Sequence, residues 1–140
     1  MTYYGAQAFI TWFAVTNSVT ARLPTSPEWE YVAKEPGERL YPWGNRGIRS
    51  DFPLEGPVGS RPDLATPHAV FDLVGPVYQW CTDDPPEQDL KSRQKIVRGF
   101  AVFRDGATKL TVPPNWKWFA AAKDEGPRHQ GFRVVIENLR

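Results

Sequence analysis

Cysteine is almost absent from this chain: Cys81 is the only one in 140 residues. A single thiol excludes an internal disulfide framework and carries no information about redox compartment. Histidine is nearly as scarce. His68 and His129 lie about sixty residues apart, and two isolated imidazoles do not make the three- or four-ligand set of a transition-metal site. Charge of one sign is missing too, because 17 Lys and Arg balance 16 Asp and Glu to a net +1. With both signs scattered and no basic stripe, nothing points to nucleic acid as a partner. No apolar run approaches the roughly 20 residues of a membrane span, so no membrane insertion is expected. The N-terminal MTYYGAQAFITWFAVTNSV lacks a basic leader and spaces its apolar residues, unlike a secretory signal peptide. These absences predict a soluble protein, cytoplasmic rather than secreted. A G-x-S-x-G elbow and a Walker-type glycine loop are also missing, which removes those hydrolase and nucleotide sites.

What the chain has in quantity is aromatic residues and turn formers. Six Trp, eight Phe and five Tyr promise a heavy aromatic core, and 14 Pro with 11 Gly promise many turns. A loop-rich α+β fold fits that mixture better than a helical bundle or a parallel sheet. At this length one domain, residues 1–140, is expected to bury roughly two-thirds of the unfolded surface.

Ala6, Phe9, Ile10, Phe13 and Ala14 recur at helical spacing, predicting an amphipathic first helix from about Tyr4 to Val15. Asn17-Ser18 breaks it. A second helix starts after Thr25, whose hydroxyl and the side chain of Glu28 make a capping box. Pro27 sits in the first turn, where its missing N–H costs nothing. Trp29, Val32 and Ala33 share one face, Pro36-Gly37 stops the helix, and Tyr41-Pro42-Trp43-Gly44-Asn45 reads as a rigid aromatic turn. Residues 46–67 form a long loop region rich in Pro and Gly, and Asp83 to Arg93 a polar, exposed loop around Pro85-Pro86. Ile96 to Phe103 alternates as a strand does, and Gly131 to Ile136 reads as a terminal strand.

The spacing R-L-P-T-x-x-E-W-E-Y…Y-P-W-G-N, found here between Arg22 and Asn45, resembles the formylglycine-generating enzyme (sulfatase-modifying factor) family. Further motifs follow in the family's order: Pro57-Val58-Gly59-Ser60, then Val70 to Trp80, then Val97-Arg98-Gly99, then Gly131-Phe132-Arg133-Val134-Val135. The resemblance covers about residues 3–136. It implies a C-type-lectin-like fold with two helices and a small, mostly antiparallel sheet. It also implies that the family's usual N-terminal stretch is lacking, which would leave a sheet edge open to partner pairing.

The enzymes of the family, by the same resemblance, hold copper with two cysteines in the segment after R-G-G-S and oxidise a substrate cysteine with dioxygen. Soft thiolates are what cuprous copper prefers, and residues 100–109 contain none. A second branch resembles sulfoxide synthases that bind iron through several histidines of an added helical domain; His68 and His129 do not supply such a set. Family calcium sites use Asn and Glu oxygens in G-N-V-W-E-W, where this chain has Pro76 and Gln79, so that site is expected to be lost. Asp51, Asp72, Asp83 and Asp84 read as turn and capping residues rather than as metal ligands or catalytic carboxylates. No cofactor, no metal and no catalytic residue is assigned.

The family places the segment between R-G-G-S and G-F-R on one exposed face, also used for display by the related variable proteins of diversity-generating retroelements. Phe103, Arg104, Asp105, Asn115, Trp116, Lys117, Trp118, Arg128, His129 and Gln130 are therefore the candidate ligand-binding residues, mixing aromatic and cationic groups as interface hot spots do. On a strand Trp116 and Trp118 would point to one side; the competing reading buries one or both. Trp12, Trp29, Trp43 and Trp80 are assigned to the core, and Arg22, Arg98 and Arg133 to structural pairing with acids or loop carbonyls. The reading that results is a non-enzymatic binding module for a protein or cell-surface ligand, in its specific form a retroelement-diversified variable protein. The alternatives are a divergent oxidoreductase, or a structural subunit completed by a partner chain.

Overall fold

Two helices and a set of short strands account for the regular structure of the computed structural model, which describes residues 1–34, 37, 39–46, 56–75, 77–86, 93–101, 103–104, 110–111, 119–124 and 130–137. In chain order these are α1 (Tyr3–Asn17), β1 (Thr20–Arg22), α2 (Ser26–Lys34), β2 (Val74–Gly75), β3 (Tyr78–Trp80), β4 (Gln94–Arg98), β5 (Phe100–Ala101), β6 (Phe103–Arg104), β7 (Leu110–Thr111), β8 (Phe119–Ala122), β9 (Gln130–Gly131) and β10 (Val135–Glu137). A single 3-10 turn lies at Pro62–Leu64. Antiparallel pairings predominate, with β2–β5 and β3–β9 parallel. The fold class is α+β. The chain divides into two units: Met1–Ser26 with Tyr78–Arg98 and Trp118–Arg140, and Pro27–Val77 with Gly99–Lys117.

The first unit is built on a four-stranded sheet of order β8-β4-β3-β9, with the β1–β10 ribbon as a second, separate pairing. Helix α1 starts where Thr2 accepts the Gly5 N–H on its hydroxyl at 3.0 Å, a side-chain cap for an otherwise orphaned donor. It ends at Ser18, which adopts the left-handed conformation at φ 54°. Ala6 and Ile10 of α1 join Leu23, Trp80, Val97 and Ala121 in one buried cluster, with Tyr3, Tyr78, Phe132 and Val134 packed against it. Trp80 anchors that cluster. It is wholly buried, its indole N–H donates to the Met1 carbonyl at 3.0 Å, and Tyr3 meets it edge-on at 5.8 Å.

Three arginines tie the coil of this unit, as the sequence implies. Arg22 donates from Nε to Glu137 at 2.5 Å and from Nη1 to the Leu23 carbonyl, joining β1 to β10. Arg98, only 5% exposed, donates to the Ser26 hydroxyl at 2.7 Å. Arg133 donates to the Gln79 side-chain oxygen at 2.6 Å. The partners are a hydroxyl and an amide as well as an acid and a carbonyl.

In the second unit, α2 begins directly after Thr25 and carries Pro27 and Glu28 in its first turn. Trp29 and Ala33 are buried, so the predicted face is the one that packs. Past the helix, the Arg39 guanidinium donates to the Lys34, Pro42 and Ala33 oxygens at 3.0, 2.7 and 3.5 Å. The aromatic turn is present as predicted. Tyr41 and Gly44 exchange both backbone hydrogen bonds at 3.0 Å, and the Tyr41 and Trp43 rings stack 5.0 Å apart and nearly parallel.

Five expectations are corrected. Trp12 is 59% exposed, because α1 turns Ala6 and Ile10 inward and Trp12 falls on the opposite side of a 3.6-residue helix; Trp43 is half-buried, its ring stacked on that of Tyr41. The strand expected over residues 96–103 is interrupted at Gly99, whose φ of 125° ends β4 before β5 begins. The terminal strand is likewise split into β9 and β10 by the intervening residues 132–134. Finally, the loop expected to be exposed from Asp83 to Arg93 is tied in at its start, residues 87–92 lying outside the described ones: Pro85 is buried, the Asp83 carboxylate receives the Ser26 N–H at 2.5 Å and its carbonyl the Ile96 N–H at 3.0 Å. A carboxylate at a helix N-terminus satisfies an orphan donor and complements the dipole, which is the capping role expected of that residue type.

Candidate functional site

Of the ten candidate binding residues, Phe103, Arg104 and Gln130 fall among the described residues, while Asp105, Asn115, Trp116, Lys117, Trp118, Arg128 and His129 lie outside them. Phe103 and Arg104 form β6 and pair antiparallel with Thr111 and Leu110 of β7, a two-stranded pairing within the second unit. Gln130 belongs to the first unit. It sits on β9 beside Tyr78 of β3, at the end of the sheet order. The two parts are therefore anchored on different units.

Gln130 is held through its backbone, whose carbonyl accepts the N-terminal ammonium at 2.8 Å. Its side-chain oxygen is buried without a hydrogen-bond partner among the described residues, and an unpaired buried acceptor costs about 1–3 kcal/mol. Next to it on the same strand pairing, Gln79 faces Gly131 and gives its own oxygen to Arg133. That pair bears on Gln79 as a calcium ligand, while Pro76 of the same motif lies outside the described residues. A guanidinium 2.6 Å from the Gln79 oxygen puts a cation where a cation would have to bind, and an amide brings no compensating charge. Gln79 does not fit a calcium ligand.

Copper fits no better. The sole cysteine, Cys81, is wholly buried next to Trp80, and its thiol lies 4.0 Å from the Gln79 carbonyl. Such a thiol behaves as a small core group. Among the described residues there is no group of three or more His, Cys, Asp or Glu placed to hold a metal. The carboxylates serve structural ends: Asp72 accepts the Gly59 N–H at 2.7 Å, Asp84 pairs with Lys95 at 2.8 Å, and Asp63 takes the two-pronged donation of Arg61. The Arg61 hydrogen bond holds the Asp63 carboxyl below its ordinary range, outweighing the opposing effect of burial, with the Arg61 charge adding a lesser pull downward. Burial pushes the Tyr78 phenol above its ordinary value.

A feature absent from the sequence reading is the outer side of α1. Tyr4, Ala8, Trp12 and Val15 follow at i, i+4, i+8 and i+11 and are all exposed. The signal was available in the composition: Tyr3–Asn17 contains no charged side chain, and a helix apolar on both sides is normally covered on both.

What these observations define is a coil-rich α+β scaffold pinned by tryptophan and arginine anchors. Residues 1–138 match the sulfatase-modifying factor enzyme 1-like (FGE-sulfatase) domain, and the chain belongs to that family. It is similar to the serine/threonine-protein kinase pkn1 of Chlamydia pneumoniae, 31% identical over 120 residues that make up 78% of this chain and 18% of that protein. The hercynine oxygenase of Mycolicibacterium thermoresistibile is 32% identical over 91 residues, 57% of this chain and 19% of the relative. The inactive C-alpha-formylglycine-generating enzyme 2 of Mus musculus is 32% identical over 97 residues, 56% of this chain and 30% of the relative. The chain thus spans less than a third of the length of each of these relatives. No helix among the described residues is long and apolar enough to cross a membrane.

Proposed function

We propose that this chain is a non-enzymatic recognition module on a formylglycine-generating-enzyme-type scaffold, binding a protein or cell-surface ligand through the segment from Phe103 to Gln130. The observation that carries it is Cys81. It is the only thiol in the sequence and is wholly buried in the core, so the thiolate pair needed to hold cuprous copper cannot be assembled from this chain. One relative bears the name inactive C-alpha-formylglycine-generating enzyme 2, which accords with a scaffold separated from the reaction. The candidate segment keeps the aromatic and cationic composition of hot spots, with Trp116, Lys117, Trp118 and Arg128.

Copper(I) titration against a chromophoric chelator tests the reading. The chain should leave the copper with the chelator, and stoichiometric capture of copper by the wild-type chain but not by Cys81→Ser would overturn it. In its specific form the segment is diversified by a retroelement. Sequencing the coding region for Gly99 to Gly131 in a natural population should then show substitutions at adenines beside a near-copy; an invariant region would leave a fixed partner instead. The similarity to a hercynine oxygenase favours a second reading, a divergent oxidoreductase using other residues of the same segment.

A further inference from the structure

The junction of β3 with β9 carries an inference independent of the ligand-binding proposal. We propose that Arg133 is the built-in cation of this junction, and that the first unit is held together there without a divalent metal. Gln79 stands on β3, only 4% exposed, where the family resemblance implies a calcium ligand. Calcium affinity is set by the number of charged oxygens brought to the ion, and the Gln79 oxygen is neutral. It also accepts from Arg133 Nε at 2.6 Å. A bond this short from an ionised donor is charge-assisted and roughly twice as strong as a neutral one. Arg133 lies in the break between β9 and β10, so the bond ties that break to the sheet beside the wholly buried Trp80. Joining distant segments through one cation is the work of a structural metal. Here a side chain 54 residues away does it.

The strand register points the same way. Gln79 faces Arg98 across β3 and β4, and residues directly opposite in an antiparallel pair project to one side of the sheet. Arg98 is 5% exposed and donates to the Ser26 hydroxyl, so a second guanidinium neighbours Gln79 on that side. On its other flank Gln79 faces Gly131, which has no side chain and leaves width for an arginine arriving from beyond the strand. With metal–oxygen bonds of about 2.3–2.6 Å, a calcium ion on the Gln79 oxygen would lie no more than about 5 Å from the Arg133 nitrogen. Like charges that close repel strongly in a buried, low-dielectric place. Arginine suits the place where calcium does not. Its guanidinium is weakly hydrated and permanently charged, so it can be buried against an amide oxygen with little desolvation cost for a cation.

Thermal denaturation of the full chain, followed by circular dichroism in excess EDTA and again in millimolar calcium chloride, tests this. The wild-type midpoint should be the same in both. A calcium site filled at about 100 times its Kd would raise it by roughly 5–10 °C, and a rise of that size would overturn the inference. Arg133→Met keeps the length of the side chain without the cation and should lower the midpoint in EDTA by roughly 4–10 °C, the loss of a bond from a charged donor. Arg133→Gln, neutral but still able to donate, should fall by less and serves if the methionine variant is poorly folded. Arg133→Lys should melt above Arg133→Gln, because the place is held by a charge. A neutral variant as stable as the wild type, or a lysine variant less stable than the glutamine one, would overturn the assignment of Arg133.

Discussion

Replacing Trp80 by Ala should be among the costliest single changes in this protein. The indole is wholly buried within the cluster of Ala6, Ile10, Leu23, Val97 and Ala121. Truncating a large buried aromatic to Ala costs about 3–5 kcal/mol through lost transfer energy and the remaining cavity. Part of that figure is the edge-on contact with Tyr3 at 5.8 Å, a geometry worth about 0.5–1.5 kcal/mol beyond its area. Trp80→Phe keeps a ring against Tyr3 but gives up the hydrogen bond to the Met1 carbonyl. Because Met1 is half exposed, water replaces that donor, and the net loss from the bond alone is about 0.5–1.5 kcal/mol. Trp12→Ala, by contrast, removes a ring that is mostly in water and should cost under about 1 kcal/mol. Urea denaturation followed by circular dichroism measures all three. With total stability of about 5–15 kcal/mol, Trp80→Ala should move the midpoint by a large fraction of its value. A Trp80→Ala cost below that of Trp12→Ala would refute the placement of the core.

Other consequences follow from single residues. Arg39→Ala leaves the last carbonyls of α2 and that of Pro42 without their guanidinium and should destabilise by about 2–3 kcal/mol; Arg39→Lys should recover little, since one ammonium cannot span three oxygens, and thermal denaturation will rank them. Gly99→Ala forces a side chain onto a φ of 125° at a buried position and should cost at least about 1–3 kcal/mol, read by the same melt. Burial holds the Tyr78 phenol neutral to higher pH than in the unfolded chain. Its contribution is therefore complete below the ordinary phenol value and is lost as pH rises from there through the raised folded value, so alkaline denaturation of Tyr78→Phe should be less steep. Arg61→Gln should return the Asp63 carboxyl towards its ordinary titration range, visible by NMR.

The local grammar of the chain was legible where it depends on neighbours in sequence. The start of α2 after Thr25, the Trp29 and Ala33 face and the Tyr41–Gly44 turn all follow from capping, periodicity and turn chemistry, and all are present. What sequence could not rank were residues whose environment is decided by distant segments. Trp12 has the more apolar neighbours along the chain, yet it is Trp80 that is buried in the core cluster. The break at Gly99 was hidden because alternation continues across it, and a positive φ leaves no trace in polarity. Asp83 read as a turn or capping acid, but what it caps was hidden, since Ser26 lies 57 residues away. Of the candidate site, composition named the residue types, and the structure describes Phe103, Arg104 and Gln130, on separate units.

A non-enzymatic module should not perform the chemistry of its family's enzymes. The direct measurement is oxygen uptake and product mass for the full chain with a cysteine-containing peptide, supplied in turn with copper and with iron. The account predicts uptake no faster than the metal alone and a peptide of unchanged mass, with Cys81→Ser indistinguishable from wild type. Conversion of the peptide cysteine to an aldehyde or sulfoxide, at a rate that depends on the folded chain, would contradict it.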